Sequence, residues 1–211
     1  NFPSVPFQNL GMKSLLQIAI DSVSDCDQVD EVLIISSSQN VLDFSESLEI
    51  TGSVCKHARV KKSEDLGPNL DIETTFKLAA QSFMDTHSYF PDIILLANLH
   101  AVGRKRVHVE KAINMLLLTE SDSVVTVQEE REPLFKQSIN GVELLNPGRF
   151  DGLTLSKERE KLFRFNGCLI GSWWEVIREG KIFDGYISQV EMSAEESIQV
   201  KTLEELKKLN H

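Results

Sequence analysis

Two stretches of the chain combine residue types and placement that suit ligand binding. Arg104 opens a run of three basic residues just after an apolar segment, and its guanidinium can hold a carboxylate or phosphate through two parallel hydrogen bonds. Asn166 and Gly167 form an Asn-Gly step inside another apolar run, where the amide can read a substrate hydroxyl. Each stretch also has a plainer interpretation: an exposed helix start for Arg104, and a common turn step for Asn166-Gly167.

Alternating strand-like and helix-like segments must position these residues. Short apolar runs of the buried parallel-strand type lie at 31–36, 92–97 and 123–127, with a weaker strand at 53–60. Apolar residues at helical spacing lie at 11–24, 41–48, 71–84 and 107–119. This alternation predicts an α/β domain with a parallel or mixed sheet and helices on both faces. Because ligand sites in such sheets lie at the carboxyl ends of strands, the turn at 98–104 is expected to face a cleft.

The pattern changes after Pro133. Two short extended segments flank Asn140-Gly141, and Asn-Gly favours the tight turns of β-hairpins. Residues 149–161 are polar and irregular. We interpret 133–161 as an insertion, an arm or a cover, within a single domain that spans 1–211.

Composition limits the classes of partner. The net charge of −10 argues against a nucleic-acid backbone as partner. Lys61-Lys62 and the basic run at 104–106 leave a local anion site open, with solvated surface as the alternative. Three cysteines without a C-x-x-C pair indicate neither a zinc site nor a disulfide framework, and fit a reducing compartment. No segment has the pattern of a membrane span or a signal peptide, so no membrane partner is expected and the cytoplasm is the default location.

The order of segments in the C-terminal half resembles the acylneuraminate cytidylyltransferases, the CMP-sialic acid synthetases and their relatives. The run at 162–170 around Asn166-Gly167 is similar to the family's Tyr-x-Pro-Asn-Gly-Ala, a helix-like stretch follows at 173–178, and 196–206 is similar to the family's Ser-(Val/Ile)-Asp-(Ile/Val)-Asp segment. The resemblance covers nearly the whole chain as a diffuse pattern. It implies a Rossmann-like, GT-A-like nucleotidyltransferase fold of three layers, with a mostly parallel sheet and a hairpin or arm insertion.

The N-terminal residues are similar to the tail of the family's phosphate-gripping loop, in which main-chain N–H groups and lysines bind phosphate. Pro3 and Gln8 stand where that loop has its two lysines, and the loop's arginine and first strand would precede residue 1 or be missing. A disordered end is the alternative. The nucleotide-binding residues that the resemblance implies are Pro6, Asn9, Ser37 and Ser38.

The turn at 98–104 is similar to the family's Pro-Thr-Ser-Pro-Leu-Arg turn, which helps to hold the sugar acid. Only the arginine of that turn survives, after two leucines of the preceding strand. His100 is equally well explained as a surface residue. The substrate-binding residues that the resemblance implies are Asn98, His100, Arg104, Arg164, Asn166 and Gly167.

The family's last segment carries two metal-binding carboxylates, and Gln199 and Lys201 occupy their positions here. Nucleotidyl transfer from CTP needs a divalent cation, and Mg²⁺ is usually held by one or two protein carboxylates. An amide oxygen binds such an ion far more weakly, and a lysine brings a like charge. No metal ligand is therefore expected at these positions. The alternative is that both are exposed residues of a strand-to-helix turn, with carboxylates supplied elsewhere.

The resemblance thus implies two contrasting functions. The first is a divergent, catalytically impaired relative that needs no cofactor and binds CTP, CMP or a sugar acid. It would act as a homodimer through 133–161, or as a heteromer with an active paralogue. The second is an active enzyme that uses Mg²⁺ to transfer CMP from CTP to an acylneuraminate- or octulosonate-type acid, with release of pyrophosphate. A generic nucleotide-binding α/β domain, or a nucleotidyltransferase for another base, is a third interpretation.

Overall fold

The computed structural model describes residues 4–36, 38–48, 54–59, 72–87, 90–147 and 159–210. The helices are a 3₁₀ turn Val5–Phe7, α1 Leu15–Ser24, α2 Gln39–Glu46, α3 Ile72–His87, α4 Arg106–Thr119, α5 Trp174–Arg178 and α6 Leu203–Leu209. The strands are β1 Asn9–Leu10, β2 Lys13–Ser14, β3 Glu31–Ser36, β4 Val54–Arg59, β5 Ile93–Ala97, β6 Ser123–Glu130, β7 Phe135–Ser138, β8 Gly141–Leu144, β9 Leu162–Trp173 and β10 Ile187–Glu191.

The central sheet has the strand order β10-β6-β9-β5. β10 and β6 are parallel, whereas β9 runs antiparallel to both β6 and β5. β3 and β4 form a separate parallel pair. The predicted α/β architecture with a mixed sheet is therefore confirmed, and β9 is the strand that makes the sheet mixed.

One face of the sheet is covered by α4. Val109, Ala112 and Leu116 of this helix are almost fully buried and pack against Val124 of β6 and Leu169 of β9. Burial of side chains of this size contributes about 1.5–3 kcal/mol each for the larger aliphatic residues. The short helix α5 contacts β5 and β9, and it also contacts α3.

The Asn-Gly step lies inside β9 and not in a turn between elements, so the turn interpretation is wrong. Between the pairs Val125–Ile170 and Val127–Phe165, β6 advances by two residues while β9 advances by five. This irregularity is a bulge, and Gly167 within it adopts a φ of +65°, which favours glycine. The bulge turns main-chain groups of β9 out of the regular ladder and toward neighbouring loops.

The predicted hairpin is confirmed as β7 and β8, which pair from Phe135 with Leu144 to Ser138 with Gly141. Its two-residue turn is Ile139-Asn140, one position earlier than predicted, because Gly141 takes the positive φ of 125° at the start of β8. Of the predicted arm, 148–158 lies outside the described residues.

Most predicted helices and strands are present. The helix expected from residue 11 begins only at Leu15, because Gly11, with a φ of +63°, turns the chain between β1 and β2. Ser14 then caps α1 by accepting a hydrogen bond from the Gln17 amide at 3.1 Å. Within the described residues, no helix combines the length and apolar character that crossing a bilayer requires.

Candidate functional site

The carboxyl end of β5, the bulge of β9 and the segment before α6 meet at one place. The Asn98 side chain donates from Nδ2 to the Gly167 carbonyl at 3.0 Å, and the Asn98 main-chain amide donates to the Cys168 carbonyl at 3.2 Å. Ala101 and Gln199 form an isolated antiparallel bridge. We call residues 97–104, 166–168 and 197–200 the junction. It brings together six residues that the sequence singled out: Asn98, His100, Arg104, Asn166, Gly167 and Gln199.

Asn166 is the residue that links most parts of the junction. Its Oδ1 accepts hydrogen bonds from the Thr126 hydroxyl at 2.6 Å and from the Cys168 amide at 3.1 Å. Its Nδ2 donates to Ser197 Oγ at 2.9 Å and to Met192 Sδ at 3.4 Å. A ligand hydroxyl that contacts this amide must therefore replace one of these bonds. Thr126 was not found from the sequence, because an isolated hydroxyl residue carries no motif, and Ser197 lies in the segment that resembles the family's last motif but was not predicted to contact Asn166.

Gln199 faces the bulge of β9. It is half-buried, and its Nε2 donates a hydrogen bond to the main-chain carbonyl of Asn166. A Cβ added to Gly167 would lie 3.2 Å from Gln199 Nε2, so the glycine also leaves room for this amide. Lys201, two residues further along, is exposed. The exposed-turn alternative thus describes Lys201 but not Gln199.

Arg104 is buried, with only 3% of its surface exposed. Its guanidinium donates to Ser22 Oγ at 2.9 Å, to the carbonyls of Asn98 and Cys168 at 2.9 and 2.7 Å, and to the Ala19 carbonyl at 3.3 Å. Burial lowers the pKa of this guanidinium to about 10. The predicted contact with a substrate anion is replaced by contacts with main-chain carbonyls, and the residue is not part of an exposed helix start. Arg104 anchors the junction to α1 from inside.

The His100 ring has a defined orientation. Its Nδ1 lies 2.6 Å from the Val200 carbonyl, and the Val200 amide donates to the His100 carbonyl at 2.8 Å. Because a carbonyl can only accept, Nδ1 carries the proton and Nε2 of the neutral ring is an acceptor. The amide of His100 donates to Asn98 Oδ1 at 2.9 Å, which fixes the turn between the two residues.

A network centred on Glu196 holds the segment before α6 against the start of α4. Glu196 Oε1 lies 3.0 Å from Lys105 Nζ, and Oε2 lies 3.4 Å from His108 Nε2 and accepts the Ser193 amide at 3.1 Å. The Lys105 amide donates to His108 Nδ1 at 3.1 Å, so the neutral ring presents its Nε2 proton to Glu196. The Ser-x-x-Glu spacing of 193–196 is the pattern of a capping box, a sequence signal for the contacts between Ser193 and Glu196 but not for those with Lys105 and His108.

The surroundings of Glu196 and His108 shift the pKa values of both side chains. The hydrogen bond from the Ser193 amide, with the contact to Lys105, lowers the pKa of Glu196 to about 2. His108 is only 2% exposed, and its burial lowers the pKa of the ring although Glu196 opposes that shift. At neutral pH the network therefore contains a carboxylate, an ammonium and an uncharged imidazole.

Gly103 is where two backbones approach most closely in the junction. A Cβ added there would lie 2.4 Å from the Glu196 carbonyl oxygen and 2.8 Å from that of Glu195. Contacts under 3.0 Å require one of the two segments to move. The residue is glycine because the turn after β5 and the segment before α6 pack main chain against main chain.

The residues expected to bind nucleotide lie on neighbouring elements. Pro6 is in the 3₁₀ turn, whose Phe7 ring packs on Phe44 of α2 with a centroid distance of 5.1 Å. Asn9 is exposed in β1, and Ser38 is exposed immediately before α2. Ser37 and the pair Lys61-Lys62 lie outside the described residues.

Arg164 is exposed near the outer end of β9 and contacts β6. Its Nη2 donates to Gln128 Oε1 at 3.0 Å, and its Nε lies 3.8 Å from a Glu130 carboxylate oxygen. These partners lie on the strand beside β9 and not in the junction. Its role in substrate binding stays a prediction.

The side chains of the junction do not fit a Mg²⁺ site. Its side-chain oxygens belong to amides and a hydroxyl, Glu196 is engaged by Lys105 and His108, and the residue after Val200 is a lysine. Mg²⁺ favours carboxylate and phosphate oxygens in octahedral geometry. In the part of the chain that the structure describes, no three His, Cys, Asp or Glu residues are grouped so as to hold a metal ion.

No protein-family model and no curated protein matches the chain. Solved structures do match it, and three of them are 12% identical in sequence to the chain. CMP:2-keto-3-deoxy-manno-octonic acid synthetase complexed with CTP matches with a TM-score of 0.65, over 100% of this chain and 91% of its own. The 4-diphosphocytidyl-2C-methyl-D-erythritol synthase of Anaerococcus prevotii matches with a TM-score of 0.63, over 96% and 86%. HddC of Yersinia pseudotuberculosis matches with a TM-score of 0.60, over 97% and 88%. The chain therefore has the Rossmann-like α/β fold of nucleotidyltransferases.

Proposed function

We propose that the protein is a nucleotide-binding relative of the sugar-acid cytidylyltransferases in which the transfer reaction itself is impaired. The fold supports this ligand class, because a synthetase that was solved with CTP matches the chain over its full length. The sequence resemblance expects nucleotide contacts at Pro6, Asn9 and Ser38, and Asn9 and Ser38 are exposed and therefore accessible to a ligand. The proposed ligands are CTP or CMP, with a sugar acid beside Asn98 and His100.

The observation that carries the proposal is the position of Gln199. The resemblance expects the first of two carboxylates that hold the catalytic cation at position 199. The Gln199 side-chain amide instead donates a hydrogen bond to the Asn166 main-chain carbonyl. Lys201 takes the position of the second. The two replacements remove the carboxylates that would hold the catalytic cation, and with them the ion that stabilises the attacking and leaving oxygens, while the surrounding fold is kept.

Binding and turnover are separated by two assays on the same preparation. Thermal unfolding is followed with CTP, UTP and GTP, and a ligand of the native state raises the midpoint further as its concentration increases. Pyrophosphate release is followed with CTP, Mg²⁺ and acylneuraminate- or octulosonate-type acids. We expect selective stabilisation by CTP without pyrophosphate release. Sustained release would favour the active enzyme, and the absence of stabilisation by any nucleotide would remove nucleotide binding from the account.

The hairpin is the surface we propose for self-association, as a homodimer. Phe135 and Val142 are 60% and 70% exposed, and cross-strand pairing places both on one face of the hairpin, whereas Lys136 and Glu143 pair on the other at 3.0 Å. An exposed apolar face beside a charged one suits contact with another protein. Light scattering after size exclusion should give a dimer for the natural protein and a monomer for the Phe135→Ser, Val142→Ser double variant. A monomer at every concentration, which becomes a larger species only with an active paralogue, would favour the heteromer.

A further inference from the structure

The oxygen acceptors of the junction are already engaged within the protein. Asn98 Oδ1 accepts the His100 amide, and Asn166 Oδ1 accepts both the Thr126 hydroxyl and the Cys168 amide. Gln199 is oriented with its Nε2 toward the Asn166 carbonyl, which leaves its Oε1 as a neutral oxygen. A single neutral carbonyl is a poor replacement for the carboxylates that Mg²⁺ favours.

The nearest carboxylate in this segment serves another purpose. Glu196 is held by Lys105, His108 and the Ser193 amide, and its pKa of about 2 reflects those contacts. Turning Glu196 toward a metal ion would leave His108 buried without this partner and would release Lys105. The network therefore keeps Glu196 on the α4 side of the segment.

Lys201 lies on the same side of its segment as Gln199. Gln199 forms a β-bridge with Ala101, Val200 is completely buried, and Thr202 is extended with a φ of −136° and a ψ of 157°. In an extended segment alternate side chains share one side, so the buried Val200 separates two side chains that point away from the core. Among the described residues, no acidic side chain lies within ion-pair distance of the Lys201 ammonium. The carboxylate of Glu205 accepts hydrogen bonds from the amides of Lys201 and Thr202, at 2.7 and 3.0 Å, and the Lys201 charge contributes to the lowered pKa of this carboxyl at longer range.

We propose that the protein binds nucleotide phosphates without a divalent cation, and that the Lys201 ammonium supplies the positive charge beside Gln199. This inference rests on the proposed nucleotide-binding function and specifies its electrostatics. An ammonium is a strong, non-directional partner for phosphate oxygens and needs no additional ligands from the protein. A protein with a net charge of −10 repels a free triphosphate, so one cation at the right position has a large relative effect.

The test measures affinities by calorimetry for CTP, CMP and cytidine, each in EDTA and in excess Mg²⁺. The natural protein should bind CTP in EDTA as tightly as in Mg²⁺, within about twofold. Lys201→Ala should weaken CTP by about tenfold, CMP by less, and cytidine not at all, because the lost contact is to phosphate. Lys208→Ala is the matched control, since Lys208 is an exposed lysine in the last turn of α6, and it should bind as the natural protein does.

The outcomes separate this inference from the function on which it rests. CTP binding that requires Mg²⁺, or equal affinity in Lys201→Ala and the natural protein, would overturn the inference and leave nucleotide binding intact. Failure of the natural protein to bind CTP in either buffer would overturn the nucleotide-binding function as well. In Gln199→Asp with Lys201→Asp, CTP binding should become dependent on Mg²⁺, and unchanged affinity in EDTA would contradict the placement of both side chains.

Discussion

The junction and the hairpin differ in whether their side chains are engaged by other groups of the protein or exposed to solvent. In the junction, the amides of Asn98 and Asn166 and the Arg104 guanidinium are hydrogen-bonded within the protein. In the hairpin, Phe135 and Val142 are exposed, and the polar contacts are a surface ion pair and the hydrogen bonds at the hairpin base. A fully hydrogen-bonded polar network restricts the positions of its side chains, whereas an exposed apolar face is typical of a surface that binds another protein. The contrast is the basis for proposing ligand binding at the junction and self-association through the hairpin.

The largest effect on stability is expected from Arg104→Met. The variant removes four hydrogen bonds that join α1 to the junction, so the free energy of unfolding should fall by about 3 kcal/mol. Urea unfolding measures the loss. Arg106→Met is the control, because Arg106 is exposed and its ion pairs lie on the surface, where the loss should stay within about 0.5 kcal/mol. Equal stabilities for the two variants would show that the Arg104 contacts do not hold the junction together.

Gly103→Ala should have the next largest effect. The added Cβ meets the Glu196 carbonyl oxygen at 2.4 Å, so either the turn or the segment before α6 must move, at a cost of about 2 kcal/mol. CTP affinity should fall with it, since that segment carries Gln199 and Lys201. In Gly11→Ala the added Cβ meets no atom within 4 Å, so only backbone strain of about 1 kcal/mol is expected. A Gly103→Ala variant as stable as the natural protein would contradict the close approach of the two backbones.

The Glu196 network predicts a specific loss of stability in acid. The pKa of Glu196 is lowered from 4.5 to about 2, so its contribution is complete above pH 4.5 and is lost as the pH falls toward 2. The lowered pKa of His108 acts in the same direction below 6.5, because the unfolded ring takes up a proton more readily. Glu196→Gln should cost about 1 kcal/mol at neutral pH and flatten the stability profile below pH 4.5. An unchanged slope in this variant would assign the acid sensitivity to other groups.

The smallest effect on stability is expected in the hairpin. Phe135→Ser should change the free energy of unfolding of the monomer by less than about 0.5 kcal/mol, because the ring is already 60% exposed. Denaturation of a dilute, monomeric sample tests this. A loss of 3 kcal/mol would mean that the ring is buried in the folded monomer, and the distinction between hairpin and junction would fail.

Strand and helix periodicity predicted most of the fold. Apolar runs identified β3, β5 and β6, and helical spacing identified α2 and α4, because these elements bury a continuous apolar surface. The bulge of β9 was not predictable in this way. Asn166-Gly167 has the composition of a turn, and its place within a strand depends on bonds to residues distant in sequence, such as those of Asn166 to Thr126 and Ser197.

Some residues of the junction were named from the sequence, but their contacts were not predicted. Asn98, His100 and Gln199 lie together in the junction, and their roles in ligand binding stay predictions. Arg104, however, faces inward, because the acceptors that bury it come from α1 and β9, which no local pattern connects to residue 104. The Glu196 network was missed for the same reason, since its partners are about ninety residues apart.

The central claim, nucleotide binding with impaired transfer, is tested most directly by pyrophosphate release under conditions where CTP binding has been shown. The natural protein is mixed with saturating CTP, excess Mg²⁺ and an octulosonate-type acid, with Gln199→Asp plus Lys201→Asp alongside. The account predicts no release above background for the natural protein. Multiple turnovers by the natural protein would contradict it.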